Sequence, residues 1–342
     1  MEVASLCAGV EGFGLGFERA GHNVVYQCEI DKHCNAVLRR RYPQVARSMD
    51  VTDDATSNDV VSIRPDCIIF GFPCQDISVA GRRDGVAGER SGIFFNCMGI
   101  VAASAPRWIC IENVPGLLSS NAGRDMGTVL GEVERFGYGW AYRVLDSQYF
   151  GLAQRRRRVF LVGCLGDTSA AARVLFESES VCGDIAARPR TKQDVAQTLS
   201  PSTQGRGNAS AGKNGGYPVN VIVSSLDAHM GTGGLDDNAA QAGHVVAYGG
   251  NNTLGPIDVA TTRLSHHNRD DFESETFCVH DGVRRLTPRE CERLQGYPDD
   301  WTRWGLDERG REVELSNSAR YRMCGNGVSA TVAEWIGRRL PR

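Results

Sequence analysis

Along the first half of the chain, short apolar runs alternate with stretches whose apolar residues recur every three or four positions. Val3 to Cys7 reads as a strand, Gly9 to Gly16 as a glycine-rich loop opening a helix, and Val24 to Cys28 as a second strand. Cys67-Ile68-Ile69-Phe70, Trp108-Ile109-Cys110-Ile111 and Val159-Phe160-Leu161-Val162 are short and continuously apolar, as strands covered on both faces are. Between them Ile93, Phe94, Cys97, Met98, Ile100 and Val101 fall at helical spacing, as do Met126, Val129, Leu130, Val133 and Phe136. Alternation of this kind over residues 1–165 predicts an α/β unit with a mostly parallel, doubly wound sheet.

From about Arg188 to Phe277 the pattern changes. Gly, Ser, Thr and Asn dominate, apolar runs are short (Val219 to Val223, Val245 to Tyr248), and helical periodicity disappears. Asp194-Val195-Ala196-Gln197-Thr198-Leu199-Ser200 is echoed by Asp258-Val259-Ala260-Thr261-Thr262-Arg263-Leu264-Ser265. A structureless linker of this length inside an enzyme is uncommon, so a loop-rich β module is expected. Helical spacing returns at Pro288 to Leu294, and Val328, Val332, Trp335, Ile336 and Leu340 mark one face of a final helix.

Composition narrows the classes. With 342 residues and 41% hydrophobic residues the chain can bury a sizeable core, and it has no apolar run long enough for a membrane span. Met1-Glu2-Val3-Ala4-Ser5 lacks the charged start and apolar core of a signal peptide. Twelve cysteines lie scattered with no C-x-x-C pair, which reads as reduced, mostly buried thiols in a cytoplasm and not as a metal site. The net charge of −3 announces no polyanion partner. Only Lys32, Lys192 and Lys213 are lysines, so the cations are almost all arginine, the residue suited to phosphate and guanine edges. Any nucleic-acid face must therefore be local.

The chemistry gathers where strands end. Gly71-Phe72-Pro73-Cys74-Gln75 follows one apolar run, and Glu112-Asn113-Val114 closes another. Ligands of open α/β sheets bind outside the carboxyl ends of their strands. A thiol held there by a preceding proline can attack an electrophile, and a carboxyl partly desolvated there has a raised pKa and can act as an acid. In Ala8-Gly9-Val10-Glu11-Gly12-Phe13-Gly14 the glycines let a ligand approach backbone, and Glu29, at the end of the next strand, stands where an acid binds ribose hydroxyls. Asp50 could accept a hydrogen bond from an adenine amino group. In Gln154-Arg155-Arg156-Arg157-Arg158, alternation along an extended segment puts Gln154, Arg156 and Arg158 on one side.

Taken in order, these segments resemble the DNA (cytosine-5) methyltransferase family. The resemblance rests on the opening loop with Glu29 and Asp50, then Pro73-Cys74-Gln75, Glu112-Asn113-Val114 and the Gln-x-Arg-x-Arg pattern at Gln154, Arg156 and Arg158. After a variable segment come Arg285-Leu286-Thr287-Pro288-Arg289-Glu290-Cys291, Gln295-Gly296-Tyr297-Pro298 and Gly325-Asn326-Gly327-Val328. It covers residues 1–165 and 283–340, leaving uncovered the segment where the family places target recognition.

The resemblance implies a Rossmann-like, S-adenosylmethionine-dependent fold acting on double-stranded DNA by base flipping. Cys74 would add to cytosine C6, Glu112 would bind N3 and the exocyclic amine, Arg158 would hold O2, and Arg156 would support the active-site loop or a phosphate. Gln75, Ser78 and Asn113 would complete the catalytic set, with Arg82 on the glycine-containing loop from Asp76 to Arg90 touching DNA. Leu6, Cys7, Gly9, Gly12, Phe13, Glu29, Ile30, Asp50, Val51, Pro73, Ile93, Asn326 and Val328 would hold the cofactor, and Thr198 or Thr262 would meet the flipped nucleotide's backbone. Two departures stand out: Cys7 replaces an aromatic that stacks on adenine, and Ile30 a common Trp.

The expected organisation is a catalytic domain, 1–188, completed by a helix at 318–342, with a target-recognition domain and hinge at 189–317. A monomer is expected, with a separate cognate restriction endonuclease as the partner if the enzyme serves restriction–modification. A tRNA cytosine methyltransferase and a catalytically silent DNA-binding regulator are the alternatives. Intact Cys74 and Glu112 argue against the second.

Overall fold

The computed structural model describes residues 1–73, 92–176, 246–249, 276–279 and 283–341, with backbone alone for the two four-residue segments and 283–285. Seven strands form one sheet in the order β3-β2-β1-β4-β5-β7-β6. They are β1 Glu2–Leu6, β2 Asn23–Cys28, β3 Ala46–Ser48, β4 Cys67–Gly71, β5 Trp108–Asn113, β6 Tyr138–Asp146 and β7 Arg157–Leu165. Neighbours from β3 to β5 pair parallel, whereas β7 pairs antiparallel with both β5 and β6. The mostly parallel, doubly wound sheet read from the sequence is present, with one reversed strand that continuous apolarity could not reveal.

Alternation along the strands explains the layers. Ala4, Leu6, Ile68, Phe70, Ile109 and Ile111 enter one core cluster, while Val3, Cys67, Ile69, Trp108 and Cys110 enter the other. The first face is covered by α3 (Asp54–Ile63), α4 (Ile93–Ser104) and α5 (Arg124–Arg135), through Val60, Phe94, Met98, Val129 and Val133. The second is covered by α1 (Gly12–Arg19), α6 (Thr168–Leu175) and the last helix, through Phe13, Phe17, Val174, Val332 and Ile336. A strand with period two and helices on both sides is what a sheet buried twice requires.

The chain returns to this unit after residue 283. Helix α7 (Pro288–Leu294) opens with a capping box between Thr287 and Glu290. The hairpin of β11 (Trp304–Leu306) and β12 (Glu312–Glu314) lies beside α2 (Lys32–Arg41). Trp301 donates its indole N–H to the Val10 carbonyl at 2.8 Å, and Arg41 lies 4.6 Å over its ring. Helices α8 (Asn317–Asn326) and α9 (Ala330–Arg339) follow. The backbone of β8 (Val246–Gly249), β9 (Thr276–Val279) and β10 (Val283–Arg285) forms a separate antiparallel sheet.

Helices α1 and α9 approach closely because Gly16 has no Cβ: a methyl there would meet the Ala330 carbonyl, the Ala333 side chain and the Glu334 amide. Gly16→Ala is expected to lower unfolding stability by about 1–3 kcal/mol through overpacking. Urea denaturation checks this, and an unchanged midpoint would show that the helices part freely.

Candidate active site

A cleft of about 620 Å³ opens at the carboxyl ends of β1, β2, β4 and β5. It lies where the chain leaves β1 towards β2 on one side and β4 on the other, the position at which open α/β sheets bind ligands. Leu6, Cys7, Gly9, Phe13, Glu29, Ile30, Asp50, Val51, Pro73, Ile93, Glu112, Asn113, Arg156, Arg158, Asn326 and Val328 all line it. Of the residues expected there, Gly12 sits behind the wall, where a Cβ would strike the Tyr297 hydroxyl and the Val328 carbonyl. Cys74, Gln75, Ser78, Arg82, Thr198 and Thr262 lie outside the described residues.

At one end the β1–α1 loop turns through three left-handed residues, Cys7, Gly9 and Glu11, with φ of 53°, 58° and 66°. Glu29 braces the loop: its Oε2 accepts from the Gly9 amide at 2.6 Å and its Oε1 from the Asp31 amide at 2.7 Å. Burial pushes this carboxyl above its usual range, and those backbone bonds oppose the shift. Asp50 holds the Thr52 amide and hydroxyl at 2.9 and 2.8 Å. Ile30 and Met49, 67% and 50% exposed, give this end an apolar rim.

The N-terminus of α1 is where nucleotide folds seat a phosphate. Here it is filled from within. The Glu11 carboxyl accepts from the Gly14 amide at 3.1 Å, and a Cβ on Gly14 would collide with it. Burial pushes the Glu11 carboxyl up to about 8.

The other end carries the charged groups. The Glu112 carboxyl meets the Arg158 guanidinium at 3.1 Å, with Gly71 leaving room beside it. Their meeting follows from the sheet: β7 begins at the edge where β5 ends, with Glu112 opposite Phe160, two positions from Arg158. Burial raises the Glu112 carboxyl above its usual range, while the charges of Arg158 and Arg156 pull it back. Arg156 is buried to 1% exposure and donates Nη2 to the carbonyls of Gly325 and Gly327, at 3.0 and 2.8 Å. Its Nε and Nη1 find no acceptor among the described residues, and burial lowers its pKa to about 9. Asn113 donates its amide to the Phe72 carbonyl at 2.8 Å and accepts from the Val114 amide. That fixes the end of β5 to the strand exit preceding Cys74.

Sequence reasoning did not name Arg322, which lines the cleft and meets Asp31 at 3.2 Å and His33 Nδ1 at 3.1 Å. It is brought there from α8 by tertiary packing, and no local pattern marked it. Met49 was missed for the same reason, whereas Val114 and Gly325 lie in motifs the sequence marked without a role for either residue. Among the described residues no group of three or more His, Cys, Asp or Glu could hold a metal ion, and no helix is long and apolar enough to cross a membrane.

The sheet is seven-stranded and Rossmann-like, and its cleft holds a buried carboxyl beside two arginines. The chain belongs to the C-5 cytosine-specific DNA methylase family, whose model matches residues 1–342, and it is a DNA cytosine-5 methyltransferase. It is 29% identical to the type II methyltransferase M2.BsuMI of Bacillus subtilis over 99% of this chain and 75% of that one. It is likewise 29% identical to the type II methyltransferase M.NlaX of Neisseria lactamica, over 99% and 96%. The fold matches that of the Dnmt2 methyltransferase of S. pombe (17% identity, TM-score 0.63, 99% of this chain and 98% of that one). A putative DNA modification methyltransferase from an E. coli prophage matches at 20% identity and TM-score 0.58, over 99% and 98%.

Because Arg158 opposes the effect of burial on Glu112, Arg158→Leu is expected to raise the Glu112 carboxyl pKa further. Carbon-13 NMR titration of the labelled carboxyl reads this directly, and an unmoved midpoint would mean the pair is not coupled.

Proposed function

We propose that the enzyme transfers the methyl group of S-adenosylmethionine to C5 of a cytosine flipped from a specific duplex DNA site, through a covalent adduct at Cys74. One observation carries the reading. The buried Glu112–Arg158 pair lies in the same cleft as Pro73, one residue before Cys74, and Asn113 ties the two strand exits together.

Bound S-adenosylmethionine supplies an electrophilic methyl on a sulfonium. The cleft fits this cofactor: Glu29 stands beside the glycine loop for ribose, Ile30 and Met49 offer apolar cover for adenine, and the α1 terminus is closed to phosphate. Cys74 thiolate would bond to C6, and the electron pair released towards C5 would take the methyl as its bond to sulfur breaks and the sulfonium leaves as a neutral thioether. The C5 proton then leaves to a base, the C6–sulfur bond breaks, and the thiolate is regenerated. Glu112, its pKa raised by burial, hydrogen-bonds N3 and the exocyclic amine as the ring gains charge. Arg158 holds O2, and Arg156 keeps two N–H groups for the active-site loop or a phosphate. Arg82 and one of Thr198 and Thr262 contact the DNA backbone, and the part of 189–317 that precedes Leu286 forms the recognition domain, since Trp301 and β11 pack on the sheet unit. The enzyme works as a cytoplasmic monomer, apart from any cognate restriction endonuclease.

Cys74→Ala is expected to abolish methyl transfer while largely sparing DNA and cofactor binding, since the thiolate contributes mainly to the transition state. Turnover within about tenfold of wild type would remove Cys74 as nucleophile, because losing a covalent step costs far more than that. A duplex carrying 5-fluorocytosine should trap the wild-type chain covalently, and a tRNA offered in parallel should not be methylated.

Replacing residues 189–283 by the matching segment of a relative should transfer that relative's target site, because each base-edge contact discriminates by about 1–3 kcal/mol. Bisulfite sequencing of DNA from expressing cells reads the outcome. An active chimera that keeps the original target would locate recognition elsewhere.

A further inference from the structure

Glu11 is fully buried in a left-handed backbone conformation, which a side chain of its size rarely adopts without compensation. Its carboxyl reaches three elements at once. It accepts from the Gly14 amide at the start of α1, from the Gln27 side-chain amide on β2 at 2.7 Å, and from the Ser5 hydroxyl on β1. The loop it closes, Cys7 to Glu11, contributes two left-handed residues, Cys7 and Gly9, to the cleft wall. Gln27 belongs to β2, which ends one residue before Glu29, the acid bonded to Gly9. Glu11 is thus the strut between the glycine loop and the strand that leads to Glu29, although it does not itself line the cleft.

We propose that Glu11 is a positioning residue for the cofactor: its carboxyl holds the Cys7–Glu11 loop in register with Glu29. The inference rests on S-adenosylmethionine as the ligand of the cleft. No cation bonds the carboxyl among the described residues. The groups that face it are Glu18 on its own helix, Tyr42 at the end of α2, and Arg47 on β3. Glu18 is a like charge and accepts from the Tyr42 hydroxyl at 3.0 Å. The Arg47 guanidinium is taken up by the carbonyls of Leu38, Tyr42 and Val45. The Gln27 Oε1 is buried without a partner, so an N–H donor in place of the carboxyl would find an acceptor there once the amide turns.

Equilibrium binding of S-adenosylmethionine to the full chain, measured by calorimetry, tests this. Glu11→Ala is expected to weaken binding about tenfold, the scale of one lost buried hydrogen bond. Glu11→Gln keeps an acceptor for Gly14 and offers an N–H to Gln27, so it should restore most of that loss. Wild-type affinity in Glu11→Ala, or a loss in Glu11→Gln equal to that in Glu11→Ala, overturns the inference alone. If Glu11→Ala does not fold, Gln27→Leu, which removes the donor on β2, decides: it should weaken binding severalfold, and unchanged affinity overturns the inference. A wild-type chain that binds no S-adenosylmethionine overturns the cofactor reading and the inference with it.

Discussion

The guanidinium of Arg156 is the constraint on which both halves of the cleft depend. It enters from the start of β7 and holds the carbonyls of Gly325 and Gly327, which belong to a segment nearly 170 residues later in the chain. Burying a cation is costly unless its donors are used. The two carbonyls and the nearby Glu112 carboxylate supply part of that compensation. Other bonds converge on the same segment: Gln295 donates to the Cys324 carbonyl at 2.7 Å, Tyr297 to the Val328 carbonyl at 2.9 Å, and Ser329 to Gln295 Oε1 at 2.9 Å. The cleft wall formed by Asn326 and Val328 is therefore a product of the last helices being pinned to the sheet.

The same guanidinium sets the electrostatics. Arg156 and Arg158 face a single carboxyl, Glu112, whose pKa burial raises. The enclosed charge is positive whether Glu112 is ionised or neutral. An electropositive recess favours a thiolate over a thiol, and Pro73, the residue before Cys74, lines that recess. The exit of β4 therefore opens into an electropositive recess.

Much of this was legible in the sequence because it depends on local rules. Continuous apolar runs gave β1, β2, β4, β5 and β7, and functional side chains at strand ends follow from where such sheets open. Strand β6 was missed: Tyr138, Gly139, Trp140, Ala141 and Tyr142 mix buried and half-exposed positions with no clean period. The direction of β7 was also illegible, since an apolar run carries no polarity, yet that reversal is what sets Arg156 and Arg158 beside Glu112. The role of Gly12 was misjudged in kind. A glycine in a cofactor-type loop reads as ligand approach, whereas here its missing side chain makes room for Tyr297, an interaction only tertiary packing reveals.

The arrangement of the C-terminal helices also bears on how such a chain can vary its middle. Phe176 and Leu286, at the two ends of the intervening segment, are each held by one of the last helices. Arg339 of α9 donates to the carbonyls of Val174 and Phe176, at 2.6 and 2.8 Å. Tyr321 of α8 donates its hydroxyl to the Leu286 carbonyl at 2.6 Å. The intervening residues therefore leave and re-enter at two anchored points, and the bonds that shape the cleft are made by residues on either side of them. Because loop-closure entropy grows only slowly with length, a segment tethered in this way can change sequence and size with little cost to the Glu112, Arg156 and Arg158 geometry.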